Sequence, residues 1–416
     1  MDNLESENDA LRQRHLHREL SNWLDARQSS LKIVKTTTTP LGQTLDWIPF
    51  DSQHSVGKSA PAISASHKPM RSAKRPDGVK AAAFELYDSG VERGPEGTVP
   101  IVRPNLLTLK RTVALKDYAN KRGGLLVNKD RLSKTPVDPD PLGYFHAVES
   151  AWTTAYGCDG VLNVWSPSVN NPAGQGDDHS IMQTWLLNYD KQTADGKAIA
   201  QSVEMGWTVD PGLNNGSTAP HLFTYYTTNG YAQDGDYEGG YNQLNKGWIQ
   251  VSSTIFPGAA INGWSVQGGQ QVEMSFKIQL NQGNWVVSVD GEVVGYYPAS
   301  LFNGGLGNNA TWVSFGGEVY SSLPDPSQTQ DQMGSGLRPE GNLSAGQAAY
   351  QRNLRVQSDS IGTMVNSNGT PSTDTANGGA NPYNIQAWMN SGTSWQSYFW
   401  VGGPTPPSSG SSSTPG

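Results

Sequence analysis

Asn284 to Pro298, "NWVVSVDGEVVGYYP", is two runs of β-branched and aromatic residues divided by Asp290 and Gly291. A two-residue Asp-Gly loop between such runs is a strong short-range signal for a β-hairpin, because both loop positions need positive φ. The same pattern continues outward on either side. Before the hairpin come "GVLNVWSP", "HSIMQTWLLNY", "AIAQSVEMGWTV", "HLFTYYTT", "GWIQVSST" and "QVEMSFKIQL"; after it come "TWVSFGGEVY" and "AYQRNLRVQ". Short strands at this spacing, separated by turn residues, predict an antiparallel β-sandwich of jelly-roll type. The expected class is all-β, with a small α+β segment in front.

Composition agrees. Charged residues make up 16% of the 416, whereas glycine (47), tryptophan (13) and tyrosine (16) run high, a balance that favours turn-rich sheets over helices. The single cysteine, Cys158, excludes an internal disulfide and a cysteine-based metal cluster, and reads as a small buried residue. No apolar run reaches the ~18 residues of a transmembrane helix. The start "MDNLESENDALRQRH" lacks the basic and apolar blocks of a signal peptide, which leaves export open.

Upstream of the strands, residues 4–27 carry Leu4, Leu11, Leu20, Trp23 and Leu24 near one helical face. "LKIVKTTTTPLGQTLDWIPFDSQ" gives two short strands about a turn, 55–79 an exposed connector, "GTVPIVRP" a third strand, and "LLTLKRTVALKDYANKRGG" a helix. A boundary falls at "KTPVDPDPLGY", where prolines alternate with acidic residues. The expected division is 1–134, a Pro-rich linker 135–143, the sandwich 144–400 and a disordered tail 401–416. Residues 1–140 hold 22 Lys and Arg against 17 Asp and Glu, net +5, while the remainder holds 7 against 20, net -13. The aromatic-rich part is thus the acidic one, which argues against a nucleic-acid-binding face.

Two strands carry a carboxylate among apolar neighbours, Glu204 in "SVEMGWTVD" and Glu318 in "WVSFGGEVY". Core strands rarely hold an ionisable group unless it is paired or functional. Each glutamate has glycine nearby, and that predicts room for a ligand backbone. If the two meet on one sheet face, repulsion leaves one protonated and the other a base, which is machinery for activating water. The same pattern also fits two glutamates satisfied separately by solvent or arginine. There is no "HExxH", no "GxSxG" and no phosphate loop, and the seven histidines are scattered, so neither metal nor cofactor is expected.

The order of motifs resembles the neprosin family, prolyl endopeptidases of the glutamic class. "NVWSP", "SIMQTWLLN", "SVEMGWTVDPGL", "LFTYYTTNGY", "GWIQV", "GYYPASLF", "WVSFGGEV", "TQDQMGSGLRPEGN" and "AAYQRNLRV" occur in the family's order. The N-terminal "LKIVKTTTTPLGQTLDWIPFDSQ" and "GTVPIVR" resemble its activation peptide. Plant members' cysteine pairs are absent from "QDGDYEGGYNQLNKGW". The resemblance implies a Glu204 and Glu318 dyad, acid activity, cleavage after proline in peptides and proteins, a propeptide that inhibits its own chain, and secretion. A monomer that meets neither nucleic acid nor membrane is expected. Proline's apolar ring makes Trp207, Tyr226 and Trp312 candidate pocket walls, and Gln183 a candidate for orienting the water. The basic N-terminal part laid on the acidic sandwich would act as a latch that acid weakens. Two other readings share the fold: a jelly-roll glycoside hydrolase using the same glutamates, and a non-enzymatic carbohydrate-binding module.

Overall fold

The structure, a computed structural model, describes residues 14–15, 18–19, 21–53, 74–88, 90–104, 143–169, 178–192, 198–230, 239–244, 247–321, 329–341, 346–373 and 381–404. In chain order the first strands are β1 (Lys35–Thr38), β2 (Thr44–Pro49), β3 (Lys80–Ala81), β4 (Ala83–Phe84) and β5 (Thr98–Val102). The sandwich begins with β6 (Tyr144–Ala155), β7 (Gly157–Asn163), β8 (His179–Gln192), β9 (Ala198–Val209), β10 (His221–Thr227) and β11 (Gly239–Tyr241). It continues through β12 (Ile249–Gln250), β13 (Ile261–Asn262), β14 (Val272–Asn281), β15 (Asn284–Val289) and β16 (Glu292–Pro298). The last are β17 (Ala310–Tyr320), β18 (Ala349–Gln357), β19 (Met364–Asn366), β20 (Thr370–Thr373), β21 (Asn384–Trp388) and β22 (Tyr398–Gly402).

Two large sheets form the sandwich. One runs β11-β10-β9-β8-β17-β6-β20, the other β12-β16-β15-β14-β7-β18-β22-β21, with β19 added to β18. Strand side chains alternate between faces. Along β8 and β9 one set, Met182, Leu186, Val203, Met205 and Trp207, enters the apolar core shared with Leu162, Phe276, Ile278 and Val287 of the second sheet. The other set faces away from that core. The hairpin of β15 and β16 turns as its residues require, with Asp290 at φ 46° and Gly291 at φ 86°.

The N-terminal part is α+β: residues 21–30 are helical, and β1, β2 and β5 form an antiparallel sheet. The expected helix over 4–27 therefore extends later, to residue 30, and residues 14–15 and 18–19 are helical too; its other positions, most of the 55–79 connector, the helix expected after "GTVPIVRP" and nearly all of the Pro-rich linker lie outside the described residues. This part is built into the sandwich. β3 pairs in parallel with β14, β4 pairs with β13, and Leu45, Trp47, Ala82, Phe84 and Leu86 join the main core. The Gln43 amide donates to Gly258 O at 2.9 Å, and Gln53 exchanges hydrogen bonds with the Gln250 backbone. Among the described residues the ion pair joining the two parts is Arg75 to Asp290, at 2.7 Å. Among the described residues, apolar burial and backbone or amide hydrogen bonds make up most of this contact.

Several strands depart from the expected layout, and β6 and β22 bear on the site and on the boundary. β6, "YFHAVESAWTTA", was not among the expected strands, because His146, Glu149 and Ser150 interrupt its apolar pattern. β22 runs through the expected boundary at residue 400: Val401 pairs with Ala349 and Gly402 with Asn384, so the sandwich reaches past that point.

Glu149 of β6 is buried where the chain crosses to β20. Its Oε1 accepts hydrogen bonds from Ser367 Oγ (2.8 Å) and Gly369 N (2.6 Å), and burial pushes its carboxyl up to about 7.

Two measurements follow. Trp47→Ala removes a side chain only 1% exposed and should cost about 3–5 kcal/mol in denaturant unfolding of the whole chain, although Trp47 lies in the N-terminal part. Because the folded Glu149 carboxyl titrates above its usual 4.5, its favourable contribution is complete in acid and is lost as pH climbs to about 7. Glu149→Gln should therefore remove up to roughly 3 kcal/mol of the fall in stability between about pH 5 and pH 8.

Candidate active site

On the face of the seven-stranded sheet turned away from the core, register assembles a constellation. Glu318 on β17 lies opposite Ile181 of β8 on one side and His146 of β6 on the other. Gln183, two residues along β8, lies between Gly316 and Gly206. Glu204 on β9 lies opposite Trp185 of β8 and Tyr225 of β10. Glu318, Gln183 and Glu204 therefore form a diagonal across three adjacent strands, all with 0% exposure.

The Gln183 Nε2 donates to Glu318 Oε2 at 3.0 Å, and His146 Nε2 lies 3.3 Å from the same oxygen. His179 Nε2 is 3.5 Å from Glu318 Oε1, and its Nδ1 is 3.8 Å from Asp210 Oδ2. Tyr144 stacks on His146, and Tyr320 stacks on His179. Burial raises the Asp210 carboxyl, opposed in part by His179 and by backbone N–H groups including that of Leu213. At the other end of the diagonal, Glu204 Oε1 accepts from Ser202 Oγ at 2.8 Å.

Each diagonal step between neighbouring strands spans about 7–8 Å, within reach of long side chains. Gln183 stands between the two glutamates, on the strand that joins theirs.

Of the aromatic residues expected at the site, Trp312 lies on the glutamate face, in a cluster with Val148, Ile181, Trp185, Phe223, Tyr225 and Tyr241. Trp207 and Tyr226 do not. Trp207 is three positions from Glu204, an odd number, so it points into the core, where its Nε1 donates to Asn163 O of the opposite sheet at 3.0 Å. Tyr226 packs on Tyr297 of that sheet with ring centroids 4.9 Å apart. Trp185 and Tyr225 take the places beside Glu204. The glycines differ from expectation too. A Cβ on Gly206 would lie 2.0 Å from Met182 O, and one on Gly316 would lie 2.4 Å from Ala147 O, so these positions admit a neighbouring strand rather than a ligand.

Sequence reasoning missed His146 and His179. Parity contained part of the signal, since His179 is four residues before Gln183 and shares its face. His146 had no such clue. Among the described residues, no group of three or more His, Cys, Asp or Glu has a geometry that would hold a metal ion.

The profile of the family described as Neprosin matches residues 176–404, more than half of the chain. The chain belongs to the neprosin family. Membership supports a peptidase, and the matched region of this neprosin includes His179, Gln183, Glu204 and Glu318, while β6 with His146 precedes it. Among solved structures, scytalido-glutamic peptidase bound to a transition state analog inhibitor is 10% identical, over 54% of this chain and 83% of that one, with a TM-score of 0.25. The apo Crh5 transglycosylase is 12% identical over 51% and 75%, with a TM-score of 0.23. A β-porphyranase from the human gut bacterium Bacteroides plebeius is 11% identical over 46% and 57%, with a TM-score of 0.17.

Gly206→Ala should separate β9 from β8 beside Gln183. It is expected to cost about 1–3 kcal/mol in thermal or denaturant unfolding.

Proposed function

We propose that this neprosin is a glutamic endopeptidase, made latent, which cleaves peptide bonds after proline in acid. The observation that carries the reading is the diagonal Glu318, Gln183, Glu204 on one aromatic-lined face. Hydrogen-bond donors and neighbouring cations favour the ionised form of a carboxylate. Glu318, met by the Gln183 amide and flanked by two imidazoles, has the surroundings of a base. It takes a proton from a water that attacks the carbonyl carbon, while Glu204, on the other side of Gln183, supplies a proton to the leaving amine. Gln183 orients the water and the carbonyl between them. No cofactor enters this scheme.

Trp185, Tyr225 and Trp312 offer flat apolar surfaces to a proline ring, in place of the core-facing Trp207 and Tyr226. Latency is supported by burial: in the whole chain Glu204, Gln183 and Glu318 have 0% exposure, so a substrate needs the face uncovered first. The net positive charge of residues 1–140 and the prolines at 136, 139 and 141 fit a chain that processes itself after acidification, inside the linker. Secretion and a monomeric state complete the proposal.

The test is incubation of wild type and Glu318→Gln at about pH 3–4 with a proline-containing peptide, followed by mass spectrometry of peptide and protein. Wild type should cut both after proline, and the variant should be slower by about 10²–10⁴-fold. Equal cutting by the two proteins would remove Glu318 from the chemistry, and an intact peptide with both would shift the search to polysaccharides.

A further inference from the structure

Tyr241 sits on β11 at the edge of the same face. Its Cα lies opposite Tyr225, which in turn lies opposite Glu204. Tyr225 and Phe223 hold its ring edge-on, at centroid distances of 4.9 Å and 6.0 Å. The hydroxyl is buried and has no hydrogen-bond partner among the described residues. Such a group costs about 1–3 kcal/mol, and buried polar atoms are otherwise satisfied almost everywhere in native proteins. Other buried tyrosines of this chain obey that rule: Tyr297 donates to Thr224, Tyr350 to Glu273 and Tyr383 to Asp331 O. Phenylalanine would fill the Tyr241 site without the penalty.

The surroundings explain what the hydroxyl is suited for. Burial first, then the charges of Glu318 and Asp210 with the hydroxyls of Tyr144 and Tyr225, push its phenol well above the usual range. It therefore keeps its proton wherever a peptidase of this kind would work, and its O–H stays available as a donor.

We infer that Tyr241 is a catalytic residue whose hydroxyl donates a hydrogen bond to the carbonyl oxygen of the bond being cleaved as negative charge builds there. The inference rests on the peptidase reading above. When water attacks, the new C–O bond forms, the carbonyl π pair moves onto oxygen, and the water proton passes to Glu318. The oxygen then holds a charge that it lacked in the ground state, and Tyr241 meets it without giving up its own proton. As the intermediate collapses, the carbonyl re-forms, the C–N bond breaks, and the amine takes its proton from Glu204. A donor without a partner in the free protein and with one in the transition state stabilises only the latter, which is the condition for raising kcat.

Tyr241→Phe tests this, since it deletes one oxygen and keeps the ring. Two readouts are needed: melting of the intact chain at neutral pH, and kcat and KM on a proline-containing peptide after acid treatment. The expected result is an unchanged or higher melting temperature with kcat lower by about 10²-fold and KM within about twofold. A melting temperature several degrees lower would make the hydroxyl structural and overturn the proposal. Cleavage at the wild-type rate would overturn it while leaving the peptidase reading intact. If acid-treated wild type leaves the peptide whole, the peptidase reading falls and the tyrosine's role falls with it.

Discussion

A carboxylate removed from water has to be met by hydrogen-bond donors or cations, and the Gln183 amide on Glu318 is the contact around which this sheet face is arranged. It requires β17 and β8 to pair in one register, and the imidazoles of His146 and His179 add β6 and the start of β8 to the same requirement. Slipping any of these strands by one residue would carry its site residues into the core and its core residues out. Met182, Leu186, Phe145 and Val319, on the other face, prevent that slip through burial. Site and core are thus two readings of the same strands, and the hydrophobic effect, acting on one face, positions chemistry on the other.

The fold was legible because alternation and turn chemistry are local. Asp290 and Gly291 predicted their own backbone angles, and most strands beyond residue 156 stand where β-branched and aromatic runs placed them. The site was legible in part. Glu204, Glu318 and Gln183 share a face, but the spacing between the glutamates depends on register, which sequence separation does not carry. Trp207 shows what local reasoning had available: an odd offset from Glu204 on one strand already assigns it to the opposite face. Tyr226 needed knowledge of which strand pairs with which. His146 lies on a strand broken by polar residues, and its partner is 172 positions away. The incorporation of the N-terminal part had no sequence signal at all, because two-residue strands have no period.

Five carboxyls of the interior shift in one direction. Glu85, Glu149, Asp159, Asp210 and Asp290 are all raised above their ordinary values, with burial the first cause in each. Acid unfolding usually comes from carboxylates that the native state holds below those values. Here acidification neutralises charges that the interior accommodates poorly. With only 7 Lys and Arg after residue 140, it also generates little repulsion in the sandwich. The raised carboxyls thus add to stability in acid, whereas His221, which burial lowers from 6.5 to about 4, takes stability away as pH falls through that interval.

The parallel pairing of β3 with β14, together with Trp47 and Phe84 in the shared core, bears on what a cut chain would be. Severing the backbone between β5 and β6 removes a covalent tether but none of these contacts. The product would be a two-chain protein, its smaller chain completing a sheet of the larger. Its stability would then depend on concentration, because unfolding would also be dissociation. Dilution, which leaves a single chain unaffected, would become a means of separating the N-terminal part from the sandwich.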